Sequence, residues 1–315
     1  MKEIAALAAL ALSCCGIQAA SAARPAGDVL IDGKNVYPES ISSMADGTLF
    51  NGSMDGIVYR AGPKDSTATP FIRPDATNGL LAVFGVLADE RAGRLWVCSV
   101  ANPFAPRAAG TTAPPSALVA FNLATGRFIG SWPFPAPGGV CNDIAIARDG
   151  SAYAADTPGG RILKLPRNGK ALTVVAESEQ LKGIDGLAFA GDGKLYVNIV
   201  SRGELLRVDL ADDASKAVVT QLKLTRPLAG PDGFRPVGGN RFLLAEGTGG
   251  RIDLVIIDWD IATIRVLRDG LGSSASVTAV GKTAFTADGK INYLVDPKLR
   301  GQDPGTFKLI AVPFE

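Results

Sequence analysis

A glycine placed to close a tight turn recurs along this chain at Gly47, Gly93, Gly150, Gly193, Gly239 and Gly281. The gaps between them are 46, 57, 43, 46 and 42 residues. Each glycine separates two short apolar runs of strand character, as in "SISSMADGTLF" from Ser40, "DIAIARDGSAYAAD" from Asp143 and "GLAFAGDGKLYVN" from Gly186. An aromatic residue follows three positions later at Phe50, Trp96, Tyr153, Tyr196 and Phe242. A third apolar run comes next, for example "IVYR" from Ile57, "LVAF" from Leu118 and "RILKL" from Arg161. One such unit is a small antiparallel sheet that cannot bury both of its faces. Stacking the units around an axis buries them all and closes a ring. Short strands and glycine turns at this period are the mark of a β-propeller. The expected fold is therefore all-β, a six-bladed β-propeller that fills residues 23–315 as one domain. The aligned aromatics are expected between neighbouring blades. "VLIDG" from Val29 is expected to add an outer strand to the last blade.

Composition narrows the chemistry. Hydrophobic residues make up 47% and charged residues 20% of the 315, a globular balance. The net charge of +1 gives no electrostatic reason to expect nucleic acid or an anionic membrane as partner. The chain has no histidine, so His-based triads, His general bases and His-ligated zinc are excluded. Chemistry must run on carboxylates, amides, hydroxyls, Lys, Arg, Tyr, Cys or a hard metal.

Residues 1–22 read as a signal peptide. Lys2 supplies the positive charge, Ile4 to Ile17 the apolar stretch, and Ala20-Ser21-Ala22 the cleavage site. The apolar stretch is too short to span a bilayer. The mature protein is expected to be periplasmic or secreted, a monomer free of the membrane that acts on a small molecule. Cys14 and Cys15 leave with the signal. Cys98 and Cys141 remain, and an oxidising compartment allows one disulfide or two buried thiols equally.

Ahead of four of the turn glycines stands a side-chain oxygen. Glu39, Asn142 and Asp185 lie eight positions before Gly47, Gly150 and Gly193; Asp232 lies seven before Gly239. First strands line a propeller's channel, so these four should converge at one mouth. The aligned positions in blades two and six, Phe84-Gly85 and Ser273-Ser274, offer nothing similar. Three carboxylates at contact distance repel and raise one another's pKa, and a hard divalent cation resolves this. Calcium, with six to eight oxygens in loose geometry, suits such a set. The competing account makes them ordinary turn residues. Their shared register, and a Glu where Asp or Asn would turn equally well, favour the metal.

Second strands end at the same mouth, which places Ser99, Asp156 and Glu246 nearby. Asp156 is read as either a support for the metal residues or a turn cap. The insertion Val100 to Ser116 falls there too. It is either a substrate wall that uses Phe104 and Arg107, or a tolerated surface loop. Cys141 is read as packing, and Asp143 as the strand-end partner that holds Asn142.

The segments "YPESISSMADGTLF", "GVCNDIAIARDGSAYAAD", "GIDGLAFAGDGKLYV" and "GPDGF" resemble the gluconolactonase, senescence-marker and paraoxonase-like group of six-bladed calcium propellers. That resemblance implies a metal set of Glu39, Asn142, Asp185 and Asp232. It also implies hydrolysis of a lactone, ester or phosphoester, with Asp232 as nucleophile or general base and Asp185 sharing the role. The chain departs from the group in three ways. Asp185 stands where the group most often has Asn. Val140 stands where its sugar lactonases usually carry Arg. The histidine on which paraoxonases rely is missing. The substrate is therefore left open. The alternative is a non-catalytic propeller that binds a ligand or protein around a structural calcium.

Overall fold

The computed structural model describes residues 24, 26–105, 110–135 and 138–315. The segment read as a signal peptide, residues 1–22, lies outside them. The six turn glycines all take positive φ, from 57° to 95°, which side chains with a Cβ rarely adopt. Each closes a hairpin between an inner strand and its antiparallel neighbour. The hairpins pair Pro38–Ser43 with Leu49–Ser53, Ala82–Asp89 with Arg94–Val100, and Cys141–Ile146 with Ala152–Asp156. They continue with Ile184–Phe189 and Leu195–Ile199, Pro231–Gly238 and Arg241–Glu246, and Ser274–Val280 and Thr283–Asp288.

Each hairpin grows outward into a sheet. Cys141–Ile146, for example, is followed in order by Ala152–Asp156, Arg161–Leu165 and Thr173–Glu177. One sheet has eight strands because its two halves meet edge to edge. Val29–Ile31 makes that joint. It pairs antiparallel with Lys308–Pro313 from the end of the chain and parallel with Thr67–Ile72 near its start. The outer strand expected from "VLIDG" is thus present, and it locks the ends of the chain together. The inner strands touch in succession, from Pro38–Ser43 round to Ser274–Val280, which returns to Pro38–Ser43. The chain is a β-propeller and nearly all β.

The core lies between adjacent sheets. Phe50, Trp96, Tyr153, Tyr196 and Phe242 are each at most 5% exposed, and Phe285 fills the same role in the last sheet. Several meet a second aromatic edge-on or tilted, as Tyr153 meets Phe189 and Trp96 meets Trp132. Burying one such side chain stabilises by about 1.5–3 kcal/mol. Cys98 and Cys141 form a disulfide with a Cα–Cα distance of 5.1 Å. It ties the second strand of one sheet to the inner strand of the next.

One irregularity recurs in every inner strand and positions the site. The ladder loses register close to the start of the strand. Pro38 faces Ser53 but Ser40 faces Gly52. Cys141 faces Asp156 but Ile144 faces Ala154. Ile184 faces Ile199 and Leu187 faces Val197; Pro231 faces Glu246 and Phe234 faces Leu244. Such bulges release residues from strict alternation and re-aim their side chains. The residues left out are Glu39, Asn142-Asp143, Asp185-Gly186 and Asp232-Gly233. In the Ala82 strand the residue is Phe84, and in the Ser274 strand the pair is Ala275-Ser276. The position in the last sheet that matches the four oxygen donors is therefore Ala275, not Ser273-Ser274.

Candidate functional site

The bulges bring Glu39, Asn142, Asp185 and Asp232 together at one mouth of the channel, the convergence their spacing predicts. Asn142 donates from Nδ2 to Asp185 Oδ2 at 3.0 Å and to Thr157 Oγ1 at 3.1 Å. The Asp185 and Asp232 carboxyls lie within electrostatic reach of each other. Glu39 lies within electrostatic reach of both aspartates, and its Oε2 is buried with no hydrogen-bond partner. Phe84 and Ala275 complete the ring without donors.

The glycines that follow two of the acids have a steric cause. A Cβ on Gly186 would lie 2.6 Å from the Asp232 carbonyl oxygen and 2.8 Å from Asn198 Nδ2. The strand carrying Asp185 can pack that close to the strand carrying Asp232 only without a side chain there. Asn198 braces the same joint. Its Oδ1 accepts from Gly186 N at 3.2 Å, and its Nδ2 donates to the Asp232 carbonyl. Fully buried in a strand, Asn198 carries no motif that marks it in sequence.

Burial in a ring of like charges favours the neutral acids. Burial, then the Asp185 charge, pushes Glu39 up to about 8. Burial, then Asp143, pushes Asp185 up to about 7. Asp232 is raised well above the usual carboxylate range, by burial first and then by Asp185 and Glu39. The ring is not drawn tight. Among the described residues, no three acidic, thiol or imidazole side chains stand together at metal-holding spacing. The donor set nevertheless fits a hard cation: all its side chains offer oxygen, and the buried Glu39 Oε2 lacks a partner.

Three second-strand residues hold the segments that lead into the ring. Asp156 accepts from Val140 N at 3.0 Å and pairs with Arg161, whose Nε lies 2.8 Å away. Asp156 therefore fixes the approach to Asn142 and also caps its turn. Glu246 accepts from Ala229 N ahead of Asp232 and pairs with Arg226, which also reaches Asp253 at 2.5 Å. Ser99 accepts from Leu81 N at 3.0 Å, ahead of Phe84.

Asp143 does not serve as a local prop for Asn142. The bulge turns it into the channel, where Arg235 grips it through Nη1 at 2.6 Å and Nη2 at 2.7 Å. Both residues are buried. Asp143 also accepts from Leu187 N at 3.3 Å. The pair bolts inner strands across the axis and forms a floor beneath the ring.

Above the ring opens a cavity of about 500 Å³. Glu39 and Asp232 lie in its lining with Val200, Ala275, Ile291 and Val295. The last two belong to a segment containing the short helix Asn292–Val295, which the strand pattern did not reveal. Phe104 stands outside the lining of this cavity and is 38% exposed. Arg107 lies outside the described residues.

No family model and no curated protein matches the sequence. Solved structures match the fold closely. A gluconolactonase from Xanthomonas campestris, described as important in glucose secondary metabolic pathways, aligns at 18% identity and a TM-score of 0.59. The alignment covers 91% of this chain and 99% of that one. The PQQ-bound aldose sugar dehydrogenase of Streptomyces coelicolor aligns at 15% identity and a TM-score of 0.61, over 92% of this chain and 100% of that one. A streptogramin B lyase aligns at 14% identity and a TM-score of 0.58, over 82% of this chain and 78% of that one. These likenesses show the fold, a β-propeller shared by proteins of different activities.

Proposed function

We propose that this protein is an exported, calcium-dependent hydrolase of a lactone, ester or phosphoester, built as a six-bladed propeller. In that blade count the eight-stranded sheet contributes two blades. One observation carries the proposal. Glu39 and Asp232 line an open cavity, and Asp185 and Asn142 stand next to them, so side-chain oxygens from four inner strands, three of them from acids, gather at one mouth of the channel. No Lys or Arg among the described residues forms an ion pair with those acids, because Arg235 is committed to Asp143.

Glu39, Asn142, Asp185 and Asp232 would hold the cation. When bound, it supplies Lewis acidity toward a carbonyl or phosphoryl oxygen. Its charge also lets the acids ionise, which burial otherwise opposes. Asp232 lines the cavity, and in this reading it attacks the substrate or takes a proton from water. Asp185, within electrostatic reach of it, can share the proton. Asn198 and Gly186 fix the spacing between the two. Val200, Ala275, Ile291 and Val295 give the substrate a largely apolar wall.

The test is turnover of lactones, aryl esters and phosphotriesters by the mature protein, with calcium and with a chelator. Calcium-dependent turnover that falls at least about 100-fold in Asp232→Asn supports the proposal. Turnover indifferent to the chelator contradicts it. Calcium binding with no turnover of any of these substrates would favour a binding propeller.

A further inference from the structure

The channel has a second mouth. Inner strands begin at the acid ring and end at the opposite face, where a cavity of about 410 Å³ opens. Leu87, Ile144, Ile146, Leu187 and Phe189 give it apolar walls, and Arg235 also lines it. No ring residue does. The Arg235–Asp143 pair separates the two cavities.

Arg235 is only 5% exposed, yet its Nε–H is buried with no partner. The ends of the guanidinium are occupied by Asp143. The free Nε–H lies on the side edge that it shares with Nη2. On that edge Nη2 makes only a long contact of 3.4 Å to the Val86 carbonyl, next to Leu87 of the wall. A side edge with two nearly parallel N–H directions matches a carboxylate fork better than a single neutral acceptor. The rim agrees. Arg91 donates to the neutral carbonyls of Arg148 and Ala147, and Arg148 to that of Gly191. The lining acids are turned to backbone amides, Asp89 to Ala92 N at 3.1 Å and Glu90 to Ala45 N at 2.7 Å.

We propose that this second cavity binds a small monocarboxylic acid, its apolar body between Ile146, Leu187 and Phe189 and its carboxylate toward the cationic side that Arg235 forms with Arg91 and Arg148. The site is independent of the acid ring and of any metal held there.

The experiment is calorimetric titration of the mature protein with hexanoate and benzoate, in chelator so that the ring holds no cation. Hexanamide is the uncharged control. Arg235 stays intact, since its pair holds the inner strands. Ile146→Trp fills the cavity. A double variant at the exposed rim, Arg91→Glu with Arg148→Glu, reverses its charge without touching the core. The expected result is one acid bound per chain with Kd below about 1 mM. Ile146→Trp, the double variant and the change to hexanamide should each weaken binding at least about tenfold. The proposal is overturned by the absence of saturable binding, by hexanamide binding as tightly as hexanoate, or by undiminished binding in a folded Ile146→Trp or in the double variant.

Discussion

Glu39, Asp185 and Asp232 gather at the channel mouth, and among the described residues none of them has an ion-pair partner. Glu246 and Asp253, further out along the sheet that carries Asp232, close around Arg226. Both groups bury carboxylates, and the consequences differ. Burial and like charge push Glu39 up to about 8. Burial alone would raise Glu246 too, but hydrogen bonds from Arg226 and Ala229 outweigh it and hold Glu246 below its usual value. Where the chain supplies the countercharge, a buried acid acts as a clamp. Where it does not, the acids remain ready for a charge from outside. Arg235 sharpens the contrast, because it pairs with Asp143 just below the ring and forms no ion pair with a ring acid, although its charge eases the rise at Asp185.

The largest expected effect comes from breaking the clamp. Arg226→Ala leaves Asp253 buried without a countercharge and Glu246 with only Arg251 at 3.8 Å, and should cost about 3–5 kcal/mol in urea unfolding. Its effect on calcium affinity should be secondary to that loss. Removing the Cys98–Cys141 bridge comes next. The bridge closes a span of 43 residues, and a double serine variant should lose about 2–4 kcal/mol by the same measurement. It should also loosen the ring, because Cys141 adjoins Asn142.

A pH series separates the members of the clamp. Asp253 is pushed up to about 7, by burial first and then by its hydrogen bond with Glu246. Its folded-state value lies above its unfolded one. The stability it contributes is therefore complete below about pH 4 and is lost as pH rises through about 7. Asp253→Asn should flatten that decline in the urea midpoint between pH 5 and 8. A decline just as steep in the variant would assign it to other groups. The smallest effect belongs to the ring. In chelator, Asp232→Asn removes one of three crowded acids, so its stability should stay within about 1 kcal/mol of wild type. A loss as large as that of Arg226→Ala would mean that the ring, too, is a clamp.

Much of the fold is legible in the sequence, because the turn glycines and the aromatics after them repeat with the sheets. The ring is legible for the same reason: Glu39, Asn142, Asp185 and Asp232 keep a near-constant distance from those turns. What escapes depends on contacts across the axis or on local register. Arg235 meets Asp143 across 92 residues, and nothing near either one announces the pairing. The bulge in the last inner strand moves the matching position to Ala275, since an added residue in a ladder leaves no signature in composition. The helix Asn292–Val295 is a single turn without an apolar stripe, too short for periodicity to detect. Loop length and aromatic character point to Phe104, and neither property fixes where a loop points.

The central claim, that the acid ring is a cation site, is tested most directly by the melting temperature of the mature protein in calcium and in chelator, for wild type and Asp232→Asn. Wild type should melt higher in calcium, by the equivalent of about 2.7 kcal/mol when calcium stands at a hundred times its Kd. Asp232→Asn should lose most of that rise while melting normally in chelator. Identical melting of wild type in calcium and in chelator would contradict the account.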